Sequence, residues 1–261
     1  MKTAFAAHPL RTRWPSAQGW STIPLMADDF DLIWTEPVPV FPLPNCVMLT
    51  GPVLPLHVFE PRYRTMIREV LARRPGQRVL AIALLRDGYE DQYLTNFAPI
   101  HPVVGVGAVV EHQELPDGRF NLLLQGRARA MIQVEDTSGP YRRAMLVPRE
   151  SVPFDSLDAE ASARDSLCAL LEDAAAVNLW ATKATEQLCH AYPRTEQLID
   201  VLAFHVIPDD EILVKQQILE EACIATRLAV VQSWLQRAVA AKRYAECRPQ
   251  HGPWPPSQSQ N

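Results

Sequence analysis

Residues 41–71 read Phe41-Pro-Leu-Pro-Asn-Cys-Val-Met-Leu-Thr50-Gly-Pro-Val-Leu-Pro-Leu-His-Val-Phe-Glu60-Pro-Arg-Tyr-Arg-Thr-Met-Ile-Arg-Glu-Val70-Leu71. Two apolar, proline-punctuated runs lead directly into one helix. Pro61 suits the first helical position, where a missing N–H costs nothing. Tyr63, Met66, Ile67, Val70 and Leu71 then recur at the spacing of a single apolar helical face. Arg62, Arg64, Arg68, Glu69 and Arg73 fall mostly on the opposite face, and Pro75-Gly76 stops a helix expected over residues 61–73.

Outward from this helix, Val38 to Leu43 and Val47 to Leu56 read as strands. Proline cannot donate to a ladder, so both are expected to be edge or bulged strands. Val79 to Leu85 is a short apolar run of the kind buried on both faces. Residues 86–101 show no period and form a long surface loop, a common carrier of specificity. Val103 to His112 and Arg119 to Gln125 flank Pro116-Asp117-Gly118 as a β-hairpin. Gly105 and Gly107 mark a bulge or a close backbone approach within it. Gly126 separates a further strand, Arg127 to Glu135, and Ser138-Gly139-Pro140 turns into the last one, Tyr141 to Pro148. Six or more short strands with one inserted helix imply a small closed or nearly closed barrel.

Composition changes at Pro153. Helical spacing runs from Leu157 to Val177, with Asp155, Ser156 or Asp158 as cap, then over Thr182 to Ala191 and Thr195 to Val206. A fourth helix, capped by Asp209 or Asp210, reaches Leu219, and a fifth carries Ile224, Leu228, Val231, Leu235 and Val239. The expected organisation is an irregular arm at 1–35, a barrel at 36–152, a helical subdomain at 153–247 and a disordered tail at 248–261. Lys2, Arg11 and Arg13 precede any acidic residue, which fits a targeting peptide or, more plainly, a loose tail.

The run Leu54-Pro55-Leu56-His57-Val58-Phe59-Glu60-Pro61-Arg62-Tyr63 resembles the signature of the Lon-protease N-terminal, substrate-binding domain family. Gly126 before an arginine-bearing strand, Gly139-Pro-Tyr141, Gln216-Gln-Ile-Leu-Glu220 and Arg227-Leu228 are similar to further family features. The resemblance covers about residues 36–240. It implies an α+β fold: a barrel of the pseudouridine-synthase/archaeosine-transglycosylase (PUA-like) type with an inserted helix, followed by a helical bundle. In the complete proteases this region contacts substrates and helps assemble the ring, and eukaryotic relatives occur in ubiquitin-ligase adaptors. The resemblance therefore implies a stand-alone polypeptide-recognition or adaptor protein. Its expected partners are unfolded or extended polypeptide, or a protease or chaperone component.

The chemistry of the chain bounds that reading. No Gly-Lys dipeptide exists, so no P-loop can cradle phosphates, and the four lysines lie outside any glycine-rich setting for a Ser-Lys peptidase. The seven histidines form no metal motif, and the five cysteines form no C-x-x-C pair, so neither a cofactor nor a metal is expected and the thiols read as small buried residues. No apolar run approaches the roughly 18 to 20 residues of a membrane span, and a cytoplasmic location follows as the expectation. The net charge is −5, with +4 and −13 over residues 155–220, the reverse of a nucleic-acid binder's basic field.

Two local constellations remain. Arg127, Arg129, Arg142 and Arg143 would make an RNA-binding patch if they converged, against the plainer reading of outward strand faces. His57 with Glu60 and Arg62 would suit acid–base chemistry, against the plainer reading that Glu60 and a locally paired Arg62 fix the strand-to-helix turn.

Overall fold

The run Val-Pro-Val-Phe-Pro-Leu becomes strand β1 (Val38–Leu43), fully buried. In the computed structural model, which describes residues 33–177, 179 and 188–247, β1 is no edge. It lies between β3 (Val79–Leu84), to which it is parallel, and β6 (Arg143–Pro148), to which it is antiparallel. The prolines are tolerated because of where their missing amides point. Val40 N donates to Arg142 O at 2.9 Å, so backbone alternation aims position 42 towards β6 and position 39 towards β3. The β1–β3 ladder starts only at Val40, and the β1–β6 ladder covers only Val38 and Pro39. Neither absent N–H leaves a carbonyl in a ladder without its donor.

β2 is shorter than the sequence suggests, Val53–Val58, and pairs with β5 alone. Val47, Met48 and Leu49 are buried without joining a strand. They cross over the sheet at two glycines: a Cβ on Gly105 would stand 1.9 Å from Met48 O, and one on Gly126 would stand 1.9 Å from Leu49 O. The expected close approach is therefore real at Gly105.

β4 (Val103–Glu114) and β5 (Phe120–Asp136) form the hairpin, turned by Gly118 at φ +77°. Gly126 does not divide β5. The strand runs on through it with a bulge: Gly107 faces Gly126 while Val106 faces Ala128, which leaves Arg127 over. The length of β5 is what closes the sheet. Its first half pairs with β2 and its end with β6, while β4 follows it from Phe120 to Met131, so β5, β4, β3, β1 and β6 make a ring with β2 added outside.

Helix α1 (Pro61–Leu71) buries Tyr63, Met66, Ile67 and Val70 against Phe41, Leu80, Ile82, Phe120, Leu122 and Leu124, the face its spacing predicts. Beyond the barrel come α2 (Leu157–Ala176), α3 (Thr195–Val206), α4 (Ile212–Glu220) and α5 (Ile224–Cys247). Ser156 caps α2, accepting from Ala159 N at 3.1 Å. Neither Asp209 nor Asp210 caps α4: a 3-10 turn leads into it instead, and Asp209 pairs with Lys215 Nζ at 3.0 Å. Leu188 to Ala191 are helical, and the rest of the helix expected from Thr182 lies outside the described residues, as do residues 1–32 and 248–261. One apolar cluster joins Val47, Leu49, Leu84 and Val103 of the barrel to Leu167, Leu198, Ile218 and Leu228 of the helices.

Candidate functional site

The alternation of β2 splits the ten-residue run. Leu54, Leu56 and Val58 face the core, whereas Pro55 and His57 are half-buried on the other side. Tyr63 is buried against the Phe41 ring, 4.3 Å between centroids. Phe59 packs at the margin of a second cluster with Trp34, and Pro61 is exposed. His57 points along β5: its Nδ1 is 2.8 Å from Asn121 Oδ1 and its Nε2 is 3.3 Å from Arg119 Nη1. Glu60 accepts from Arg62 Nε at 2.9 Å. His57 and Glu60 therefore have separate hydrogen-bond partners.

Arg62 does more than fix the turn. Its Nη2 donates to Tyr93 O at 2.8 Å, and its Nη1 to Leu94 O at 3.1 Å and Thr95 O at 3.2 Å. From the other side Arg142, itself buried, donates to Asn96 O at 2.6 Å and Ala98 O at 2.8 Å and pairs with Glu135 at 3.0 Å. Two planar guanidinium forks thus hold five carbonyls of the 93–98 segment, the use for which arginine is suited and lysine is not. Arg62 also lies over the Tyr63 and Tyr93 rings, and burial pushes both phenols well above their ordinary range. On this pinned backbone, Leu94 and Phe97 are each 72% exposed. Two large apolar side chains are thus left uncovered on a loop whose backbone is fixed.

The four arginines do not converge. Arg129 is buried and ties the barrel to the helices, donating to Leu219 O at 3.2 Å, Glu221 O at 2.6 Å and Ser151 Oγ at 2.6 Å. Arg142 holds the loop, Arg143 pairs with Glu69 at 2.9 Å, and Arg127 stands at the bulge. Arg129 and Arg142 thus correct both the patch and the outward-face readings, because buried carbonyls satisfy them in place of water.

Sequence reasoning missed a charged network beneath the barrel. Arg227, with no exposed surface, donates to Asp200 Oδ1 at 3.0 Å, Glu196 Oε1 at 2.9 Å and Ser151 Oγ at 2.9 Å. Thr50 N donates to Asp200 Oδ2 at 3.3 Å, and the Ser151 hydroxyl donates to Glu196. Burial raises Asp200, opposed by Arg227 and Arg129. Burial would raise Glu196 too, but bonds from Ser151 and Arg227 hold it below the usual carboxylate range. An aspartate inside the apolar run Leu198-Ile-Asp-Val-Leu202 was the available signal. Among the described residues, no His, Cys, Asp and Glu group could hold a metal, and no helix is long and apolar enough to cross a membrane.

Comparison with known proteins gives this architecture its relatives. The family model described as the ATP-dependent protease La (LON) substrate-binding domain matches residues 37–237. The chain belongs to the LON substrate-binding domain family. The match takes in the ring of strands, α1 and the helices as far as Arg237 of α5. A Lon protease of Anaeromyxobacter dehalogenans is 27% identical over 203 residues, which are 77% of this chain and 23% of the relative. Lon protease 2 of Myxococcus xanthus is 26% identical over 209 residues, again 77% and 23%. The chain thus spans about a quarter of the length of the curated relatives it matches. The solved N-terminal domain of a Mycobacterium avium complex Lon protease is similar in fold, with a TM-score of 0.58 at 17% identity, covering 77% of this chain and 98% of that one.

Proposed function

We propose that this LON substrate-binding domain recognises extended, apolar polypeptide without itself catalysing a reaction, and that the loop bearing Leu94 and Phe97 is the contact surface. The observation that carries the reading is the contrast between a backbone held at five carbonyls by Arg62 and Arg142 and the two exposed apolar side chains it presents. A preorganised loop loses little conformational freedom on binding, so more of the contact energy appears as affinity. The ten-residue signature serves here as the base that sets Arg62 in place. The match to a family described as substrate-binding supports the same direction.

β2 offers a second element of recognition. It is the outer strand of the sheet, and an extended segment can pair with such an edge. Pro55, in the middle of β2, lacks one donor and limits how far that pairing runs. The affinity of one such site is expected in the range of roughly micromolar to millimolar.

The test is titration of a fluorescent unfolded polypeptide into the wild-type chain and into Leu94→Ser/Phe97→Ser, with circular dichroism to show that both are folded. Single-stranded RNA at two salt concentrations is the control ligand. The double variant is expected to bind polypeptide at least tenfold more weakly, and neither protein to hydrolyse ATP or peptide. Unchanged polypeptide binding would move the surface elsewhere. Salt-sensitive RNA binding without polypeptide binding would refute the reading.

A further inference from the structure

Cys168 on α2 and Cys189 in the short helical stretch Leu188 to Ala191 are separated by 21 positions in sequence, yet their sulfurs lie 3.1 Å apart. A disulfide needs about 2.05 Å, so the two atoms are roughly one ångström from bonding. Both residues are half-buried, within reach of a small oxidant. The backbone around them is already clamped: Arg164, one turn before Cys168 on α2, donates from Nη2 to Cys189 O at 2.7 Å and to Tyr192 O at 2.8 Å. The clamp fixes one segment against the other independently of the sulfurs.

We propose that Cys168 and Cys189 are a redox modification site, closed to a disulfide by hydrogen peroxide and reopened by a dithiol. The Cys168 sulfur attacks one peroxide oxygen, the O–O bond breaks, and a sulfenic acid and water result. The Cys189 sulfur then attacks the Cys168 sulfur, its proton leaves with the hydroxyl as a second water, and the S–S bond forms. Two thiols are oxidised and one peroxide is reduced to two waters. Burial, and then the neighbouring Cys168 sulfur, push the Cys189 thiol up to about 12, with Arg164 opposing and Glu172 reinforcing. A thiol that keeps its proton is a poor nucleophile, so closure is slow unless the oxidant persists.

The consequence reaches the charged network. Leu188 to Ala191 lead by way of Tyr192 into α3, which carries Glu196 and Asp200. The Tyr192 side chain lies 3.8 Å from the place a Cβ on Gly51 would take. A bond at Cys189 would fasten the entry of α3 to α2, making the joint between helices and barrel more resistant to opening.

The experiment uses the full chain with Cys223→Ser and Cys247→Ser. Cys223 is the competing thiol, lowered by hydrogen bonding with Thr226. After reduction and removal of reductant, a few-fold excess of peroxide should lower the intact mass by about 2 Da, reversed by dithiothreitol. Peptide mapping should give a Cys168–Cys189 link, in the wild-type chain as well. Added Cys168→Ser or Cys189→Ser should abolish the mass loss. The closed form should melt roughly 5 to 10 °C higher, the scale expected for bridging a loop of this length. Over-oxidation without a 2 Da loss, a link that uses Cys46, or a lower melting point on closure would overturn the proposal.

Discussion

Replacing Arg227 with methionine keeps an apolar stem of similar reach but strips three hydrogen bonds from the network. Asp200, with no exposed surface, is left with Thr50 N at 3.3 Å as its remaining hydrogen-bond donor. Breaking a buried ion pair from one side costs about 3 to 5 kcal/mol, because the surviving charge stays desolvated. Asp200→Asn is milder: Arg227 keeps Glu196 and Ser151, so about 1 to 3 kcal/mol is expected. In the double variant neither charge is stranded, and its cost should fall short of the sum by about 1 to 3 kcal/mol. Urea unfolding at pH 7, compared at constant m, reads all three. The sign of the pH dependence gives an independent check. Burial raises Asp200 in the folded state, Arg227 is the largest opposing influence, and its loss raises the carboxyl further. The folded variant then binds a proton that the unfolded chain releases, so its deficit against wild type should shrink from pH 7 to pH 5. A cost for Arg227→Met below about 1 kcal/mol, or strict additivity in the double variant, would refute the assignment of this network as a buried, coupled joint.

Ile67→Ala, at a site with no exposed surface, should cost about 2 to 5 kcal/mol by chemical denaturation. Arg68→Ala should cost under about 1 kcal/mol, because its pairing with Glu114 at 3.4 Å is exposed. Gly126→Ala would set a methyl 1.9 Å from Leu49 O and should lower the thermal midpoint by a cost of about 1 to 3 kcal/mol or more, whereas Gly88→Ala meets no atom within 4 Å and pays only for its positive φ. Glu196 is held below its unfolded value, so its stabilisation is present above about pH 4.5 and is lost as pH falls through its folded value; Glu196→Gln should flatten that acid limb of the stability curve. Arg62→Lys should weaken polypeptide binding several-fold while keeping the charge, measured by the same fluorescence titration.

The elements that local rules specify were legible. The face of α1, the Asp117-Gly118 hairpin and a cap among Asp155, Ser156 and Asp158 depend on spacing and turn chemistry within a few residues. The place of β1 was not, because a proline's cost depends on whether a neighbouring strand reaches the amide it lacks, and that is fixed by ladder length elsewhere. Val47 to Leu49 read as strand because apolar burial looks the same whether the segment pairs or crosses over a sheet. The arginines misled for a related reason. Nothing in the sequence around Arg129 or Arg142 shows that unpaired carbonyls at Leu219, Glu221, Asn96 and Ala98 will satisfy them away from water. The sulfur pair carried no signal either, since a separation of 21 positions matches no thiol motif.

The signature residues and the exposed loop are linked by donor supply. A guanidinium has five N–H donors in a fixed plane, and Arg62 directs them to Glu60, Tyr93, Leu94, Thr95 and Asn96. A phosphate drawn to Arg62 would have to take donors from that loop, so anion binding there would oppose the order of the 93–98 segment. Arg142 is committed in the same way to Asn96, Ala98 and Glu135. Arg62 and Arg142 are therefore already engaged, while Leu94 and Phe97 remain uncovered. On the proposed reading, this surface discriminates by apolar area and shape, with little dependence on salt. That is the behaviour a polypeptide site needs if it is to accept many sequences, and it is opposite to the steep salt dependence of a nucleic-acid site.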